Sequence, residues 1–333
     1  MSAHPEGGVV PALAPETGGD PDVPSAPEIT VVGSLNMDIR LTVDRIPRSG
    51  ETISATGLKR SPGGKGANQA VAAARLGRRV AMVGAVGDDD AGRAITARLV
   101  AEGLDVASVA VSEQPTGTAV ILWEQPESTI VIEAGANGDV DEQFVDSRDA
   151  AVRAVADAQV VLCQCETPLG ALAAVARLAT GTTILNPAPA VPVPAEVRDR
   201  FDVLVPNRFE LATLAGATEA PETLADVVAM VRGLAFPGDV VVTLGADGSV
   251  VVPRDGLPTP VPAVRVDAID TTAAGDSFCA ALADGLLHGQ DLVRAARWAA
   301  RVAAVTTTRD GAIESLPLAD EVPTAPQDPA PEH

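Results

Sequence analysis

The sequence predicts an α/β fold: a central, mostly parallel sheet covered by helices on both faces, with a small second β-sheet outside it. Three observations carry this expectation. Most apolar runs are continuous, and stretches of helical character separate them, as in strands buried on both faces. Two other pairs of segments alternate apolar and polar residues, as strands with one wet face do. A chain of 333 residues with 46% hydrophobic content is long enough to bury one large core.

The elements follow in order. Residues 1–27 are rich in Pro, Gly, Ala and acid without periodicity, and are expected to be a disordered tail. The stretch 318–333 has the same character, which leaves 28–317 as the folded domain. "ITVV", from Ile29 to Val32, is an apolar strand that stops at Gly33. "DIRLTVDRI" alternates Ile39, Leu41 and Val43 with Arg40, Thr42 and Asp44, and "ETISATGL" continues in that style. "TAVILWE" and "STIVIEA" form a second alternating pair, joined through residues 125–127. These segments, 38–62 and 115–135, are expected to make a β lid. "RVAMVGAVG" is a strand, and "DAGRAITARLVAEG" a helix ending at Gly103. "AQVVLCQ" precedes the helix "PLGALAAVARLA", "TTILNPAPA" a short polar helix, and "FDVLVPN" the helix "RFELATLAG". "DVVVTLGADGSVVV" reads as strand, glycine turn and strand. Two long amphipathic helices, "AAGDSFCAALADGLLHG" and "DLVRAARWAARVAAVTT", close the domain. No internal repeat is present.

Composition removes several function classes. A formal net charge of −21 argues against nucleic acid, whose phosphate backbone calls for a basic face, and against an anionic membrane surface. No apolar run approaches the ~20 residues of a membrane span. The three cysteines, Cys163, Cys165 and Cys279, lie in apolar surroundings, as in a reduced cytoplasmic protein. Cys163-Gln-Cys165 lacks zinc-ligand spacing, and His4, His288 and His333 assemble neither a triad nor a metal cluster.

Two glycine-rich stretches carry the chemistry. "SPGGKGANQAVAAARLG", Ser61 to Gly77, places Lys65 in a glycine bed ahead of a helix, although the chain holds only two lysines among 24 basic residues. It is not a P-loop: Gly66 follows Gly64-Lys65, and the position five before Gly64 is Lys59. Taken alone it is equally a tight turn capping a helix. "DAIDTTAAGDSF", Asp267 to Phe278, is more telling. Small residues let the amides of Ala273, Ala274 and Gly275 point at one spot, where the positive end of the helix dipole adds to them. Such a nest holds anionic oxygens or the charge that grows during a transfer. Asp276 at its edge is either a plain N-cap or a base that takes a proton from an attacking hydroxyl.

With these residues in view the chain resembles the ribokinase family of carbohydrate and nucleoside kinases. "GGKGANQAVAAARLG" and "DTTAAGDSFCAAL" are similar to the two family signatures, and "AGAN", "ETPL", "LNPAPA", "PNRFE" and "TLGADG" stand between them in the family's order. The likeness runs from Ile29 to Pro317. "LNPAPA" with "DTTAAGD" resembles the ribose-specific members more than the nucleoside or fructose-phosphate kinases. Ser277 stands where the family commonly has Thr, and "WEQPES" lacks the glycines often found in that hairpin.

The resemblance implies a three-layer fold with a β-sheet lid, and a set of roles. Asn36, Asp38, Gly64, Lys65, Asn68 and Glu166 would bind the sugar, the glycines allowing close approach and Lys65 acting as a point-charge donor that pairs with Asp38 or Glu166. Asn207 and the loop Thr243, Leu244, Gly245, Ala246, Asp247, Gly248 would hold ATP, with Gly275. A helix cap at Asn207 and an ordinary hairpin turn at "GADG" are the alternative readings. Asp276 would be the catalytic base, facing the Ala273–Gly275 anion hole. Asp270, Thr272, Thr306, Arg309, Gly311 and Ser315 would bind a monovalent cation, K⁺, while Mg²⁺ would accompany the phosphates. The resemblance also implies a homodimer whose lids pair. The expected activity is ATP-dependent phosphorylation of D-ribose at O5. A nucleoside kinase of the adenosine or pseudouridine type is the alternative within the family, although 2% aromatic content with no Tyr offers little wall for a base. A non-catalytic sugar-binding regulator is the alternative outside it.

Overall fold

The computed structural model of the chain describes residues 26–124 and 127–323. The expected N-terminal tail up to residue 25, most of the expected C-terminal one, and the hairpin tip at 125–126 lie outside the described residues.

The strands in chain order are β1 (Ile29–Val32), β2 (Asn36–Thr42), β3 (Gly57–Gly63), β4 (Val80–Gly87), β5 (Asp105–Ser112), β6 (Gly117–Glu124) and β7 (Glu127–Glu133). They continue with β8 (Val160–Gln164), β9 (Thr182–Asn186), β10 (Val203–Leu204), β11 (Asp239–Thr243), β12 (Ser249–Val252) and β13 (Thr259–Val261). Nine of them form one sheet in the order β13-β12-β11-β10-β9-β8-β1-β4-β5. It is parallel from β5 to β11 and antiparallel at β12 and β13. The other four form the lid, in the order β3-β2-β6-β7. Among the described residues no helix is long and apolar enough to cross a membrane.

Alternate side chains of the central strands feed two cores. Ile29, Val31 and Leu162 pack with the alanine-rich helices Lys65–Arg75, Ala274–Leu287 and Leu292–Thr307. Val32, Val161 and Cys163 pack on the other face with helices Asp149–Asp157, Leu169–Leu178 and Leu224–Gly233. The continuous apolar runs therefore do face helices on both sides. The strand order reverses at β1, which lies between β4 and β8. In open α/β sheets ligands bind outside the carboxyl ends of the strands at such a reversal.

Three boundaries differ from expectation. The strand expected at "ETISATGL" begins only at Gly57 and runs through Gly63, pairing antiparallel with β2, so the glycine bed continues directly from the lid. Helix Ala274–Leu287 begins two residues before Asp276. The expected C-terminal tail starts too early. Residues Ala319–Glu321 form a 3₁₀ turn, and Val322 is buried in the core, because Leu316 and Val322 still have apolar surface to cover.

Candidate active site

Helices Lys65–Arg75 and Ala274–Leu287 meet through alanine: Ala67, Ala70, Ala280, Ala281 and Ala283 are all buried. Short side chains let the two helices approach closely, and this brings Asn68 and Gln69 to Asp276. Asn68 Nδ2 donates to Asp276 Oδ2 at 2.9 Å, and Gln69 Nε2 to Oδ1 at 3.2 Å. Gln164 donates to Gln69 Oε1 at 2.7 Å, which turns the NH₂ group of Gln69 toward the carboxylate. Asp276 is 7% exposed. Burial pushes its carboxyl above the usual range, against the opposing pull of the Lys65 ammonium and the two amides. A fixed carboxylate with a raised proton affinity suits a general base.

Asp276 is not the helix cap. Ala273 occupies that position in the left-handed region at φ 60°, and no side chain caps the helix. Of the three expected nest amides, Ala274 N makes a 3.3 Å contact with Thr271 O. The other two, those of Ala273 and Gly275, and the amide of Asp276 beyond them find no acceptor among the described residues, as befits the start of a helix. A Cβ at Gly275 would project into open space, so the glycine keeps the approach to these amides clear.

Lys65 opens the other helix. Its ammonium lies 3.9 Å from Glu166 Oε1, and its backbone N–H donates to Glu166 Oε2 at 3.1 Å. Of the two expected partners, Glu166 makes the ion pair, whereas Asp38 acts on Lys65 only through its charge. Burial lowers the proton affinity of Lys65, but the carboxylates of Asp276, Glu166 and Glu210 more than reverse this, and the group stays cationic. Ser34 completes the cluster, donating to Glu166 and accepting from Gly66 N–H at 3.3 Å. The glycines were expected to bring backbone close to a ligand. In the structure they let two pieces of backbone cross. Gly64 has φ +90°, and Cβ atoms at Gly64 and Gly66 would come within 2.9 Å and 2.6 Å of the backbone of residues 33–36.

That crossing sets Asn36 and Asp38. Asn36 is buried and accepts from Asn137 Nδ2 at 2.7 Å, while Asn137 Oδ1 accepts from Leu35 N–H at 2.8 Å. Asn68 is 6% exposed, and its Oδ1 finds no donor among the described residues. A buried acceptor without a donor is costly, and a hydroxyl group would satisfy it. Asp38 is pushed up to about 7, by burial first and then by the charges of Glu166, Asp276 and Glu314, against Lys65. The unfolded chain releases this proton near pH 4, so between pH 4 and 7 folding takes up a proton and stability falls as pH rises. Asp38→Asn is therefore expected to raise the melting temperature of the sugar-free protein at pH 8 and to give no such gain at pH 4. Equal shifts at both pH values in thermal denaturation would exclude the Asp38 charge as the cause.

The two expected nucleotide segments lie side by side, with Asn207 and Thr243 paired in a parallel bridge. Asn207 does cap its helix. Its Oδ1 accepts from the Phe209 and Glu210 amides, and Glu210 returns the contact to Asn207 N and Nδ2 at 2.8 and 2.7 Å. Gly245–Asp247 forms a 3₁₀ turn between β11 and β12, closed by Leu244 N–H to Gly248 O. Arg208 holds Asp247 at 2.8 Å, and Ala246 is exposed.

The expected cation residues divide. Thr272 donates through N and Oγ1 to Asp270 Oδ1, and Gly311 N–H to Oδ2 at 3.1 Å, so these three meet. Thr306 is buried and turns its hydroxyl to Ser277, Ser315 donates to Ala312 O, and the Arg309 side chain leaves to pair with Glu321. The oxygens these residues offer a cation are the Asp270 carboxylate, the Thr272, Thr306 and Ser315 hydroxyls and the backbone carbonyls. No group of three or more His, Cys, Asp or Glu side chains able to hold a metal occurs among the described residues.

The partners missed in sequence are Ser34, Gln69, Asn137, Gln164 and Glu210. Gln69, Asn137 and Glu210 stand inside "GGKGANQAVAAARLG", "AGAN" and "PNRFE", motifs that carry the family resemblance. Ser34 and Gln164 carry no local signal, because their side-chain contacts with Glu166 and Gln69 span 132 and 95 residues of sequence.

Residues 26–319 match the family model described as pfkB family carbohydrate kinase. The ribokinase of Schizosaccharomyces pombe is 37% identical over 308 residues, covering 88% of this chain and 96% of that protein. The Bacillus subtilis ribokinase is 37% identical over 299 residues, covering 88% and 97%. The structure of Arabidopsis thaliana ribokinase complexed with ribose and ATP superposes with a TM-score of 0.80 at 33% identity, covering 89% of this chain and 97% of that one.

Proposed function

This chain belongs to the pfkB family of carbohydrate kinases, and from that premise we propose that it transfers the γ-phosphoryl group of ATP to O5 of D-ribose, giving D-ribose 5-phosphate and ADP. One observation carries the reading. A buried carboxylate with raised proton affinity, Asp276, stands in the first turn of a helix whose Gly275 and Asp276 amides have no acceptor among the described residues and whose Gly275 borders open space, beside a buried Asn68 oxygen that has no donor among them.

The residues divide the work. Asn36, Asp38, Asn68 and Glu166 hold the sugar hydroxyls. Asp276 accepts the O5 proton as that oxygen attacks phosphorus, and the amides of Gly275 and Asp276 receive the charge on the transferred group. Lys65, held cationic among three carboxylates, lies where it offsets both that charge and the one on Asp276. Asn207 and the 243–248 loop receive the nucleotide. Mg²⁺ supplies charge neutralisation at the phosphates when bound. The buried Glu210 carboxylate, oriented by Asn207, offers it the hard oxygen that such a cation prefers. Asp270, the Ser315 hydroxyl and backbone oxygens of the 306–311 segment would hold K⁺ and steady the loop leading to the anion hole. The lid excludes water, which would otherwise compete as acceptor. Exposed Leu58, Ile130, Val131 and Ile132 on the lid support a homodimer joined there. Three free, buried cysteines support a cytoplasmic setting.

The test is direct. ATP and D-ribose should yield ADP and ribose 5-phosphate in equal amounts, faster in K⁺ than in Na⁺ or Li⁺ buffer. Absence of ribose-dependent ADP would end the reading, and equal rates in rigorously K⁺-free buffer would remove the cation from it.

A further inference from the structure

Neither Arg40 nor Lys59 is among the sugar, nucleotide or cation residues, yet each crosses from the lid to the body. They sit directly opposite one another on β2 and β3, and like charges in that position repel. The structure relieves the repulsion with a shared anion: Arg40 Nη1 lies 2.8 Å from Asp310 Oδ1, and Lys59 Nζ 3.0 Å from Asp310 Oδ2. Arg40 reaches further, to Asp270 Oδ2 at 3.3 Å, and its guanidinium stacks over Trp123 at 4.2 Å from the ring centroid. The Arg40 and Asp270 side chains are 19% and 10% exposed, so this pair is largely shielded from water. Lys59 and Asp310 are 38% and 45% exposed.

We propose that Arg40 is a positioning residue that couples lid closure to the anion hole, with Lys59 as an auxiliary latch. Alternation along β2 puts Asp38 and Arg40 on one face of the lid. The strand that brings Asp38 to the sugar thus also brings Arg40 to Asp270. The Asp270 carboxylate fixes the turn through Thr272 N and Oγ1, and Ala273, the next residue, begins the helix bearing the free amides. Ile269 and Asp270 amides both donate to Thr307 O, and Gly311 N–H to Asp270, which anchors the same loop from behind. Arg40 supplies its lid-side support. Among the described residues the one ion pair of Lys59 is with Asp310, and Lys59 makes none with Asp270.

The inference rests on the kinase reading, and the experiment separates the two. That reading fails if the parent chain forms no ADP with ribose. The coupling is read only from ratios of variant to parent. With both substrates saturating, Arg40→Met is expected to lower kcat about tenfold or more, the scale of a small misplacement of transition-state donors. Its ribose dissociation constant, by calorimetry without nucleotide, should change less than about threefold, since the sugar's own partners remain. Lys59→Met should leave kcat within about twofold and raise the KM for ribose by less than about fivefold, as for an exposed pair. A single nitrogen of Arg40, Nη1, meets both carboxylates, while the planar guanidinium is held in place by its stack on Trp123; Arg40→Lys keeps the charge but not that stacked plane, and should recover only part of the lost kcat. It also serves as the deciding variant should Arg40→Met not fold: full activity in Arg40→Lys would then overturn the proposal. So would an Arg40→Met enzyme whose kcat stays within about twofold of the parent, or whose kcat and ribose affinity fall in proportion.

Discussion

Asp276→Asn is expected to lower kcat by about 10²–10⁴, the range for loss of a general base, while ribose binding measured without nucleotide is largely kept. The asparagine keeps the shape of the side chain and can still meet one of the two amides that hold it, Asn68 Nδ2 and Gln69 Nε2. What disappears is the proton acceptor. The wild-type enzyme should lose activity on acidification through a limb lying above the ordinary carboxylate range, because burial raises Asp276; the variant should lack that limb. Because Asp276 caps no helix, the substitution should cost little stability. A variant with near-normal turnover would mean that the base lies elsewhere and that Asp276 only helps join two helices.

The second large effect concerns the acceptor. In steady-state comparison D-ribose should exceed 2-deoxyribose in kcat/KM by about 10² or more, since a site built to bind hydroxyls strongly rejects analogues that lack them. The reason is already visible without a ligand. Asn68 Oδ1 is buried without a donor, and Asp38 is held near neutrality among carboxylates, so a missing hydroxyl leaves groups unpaired in a dry site. Adenosine should be poorer still, because its base would meet the polar and charged groups of Asp38, Lys65 and Glu166 beneath the lid. Preference for the nucleoside in this panel would move the chain to the nucleoside branch of its family. Equal use of ribose and deoxyribose would show that the orphaned oxygen faces something other than the 2-hydroxyl.

The alternation in "DIRLTVDRI" and "TAVILWE" marked a sheet with one wet face, and the continuous runs around "VVLC" and "VAMVG" marked strands covered on both sides. Both patterns are local, since a strand's environment is written at a period of two along its own residues. The sequence by itself likewise determined the small residues ahead of Asp276 and the glycine bed at Lys65, where a side chain would collide with neighbouring backbone or close off open space. Tertiary structure decided the rest. That Asp276 caps no helix depends on where the helix begins, and its raised proton affinity on burial against Asn68 and Gln69, about 200 residues away in sequence. That Asn207 caps its helix depends on Glu210 reaching back to it. The shared hold of Arg40 and Lys59 on Asp310 spans more than 250 residues and leaves no trace in composition or spacing. Burial and the proximity of charges set proton affinity and pairing, and they belong to the packed chain, because only folding removes the water that would otherwise screen each of these groups from the others.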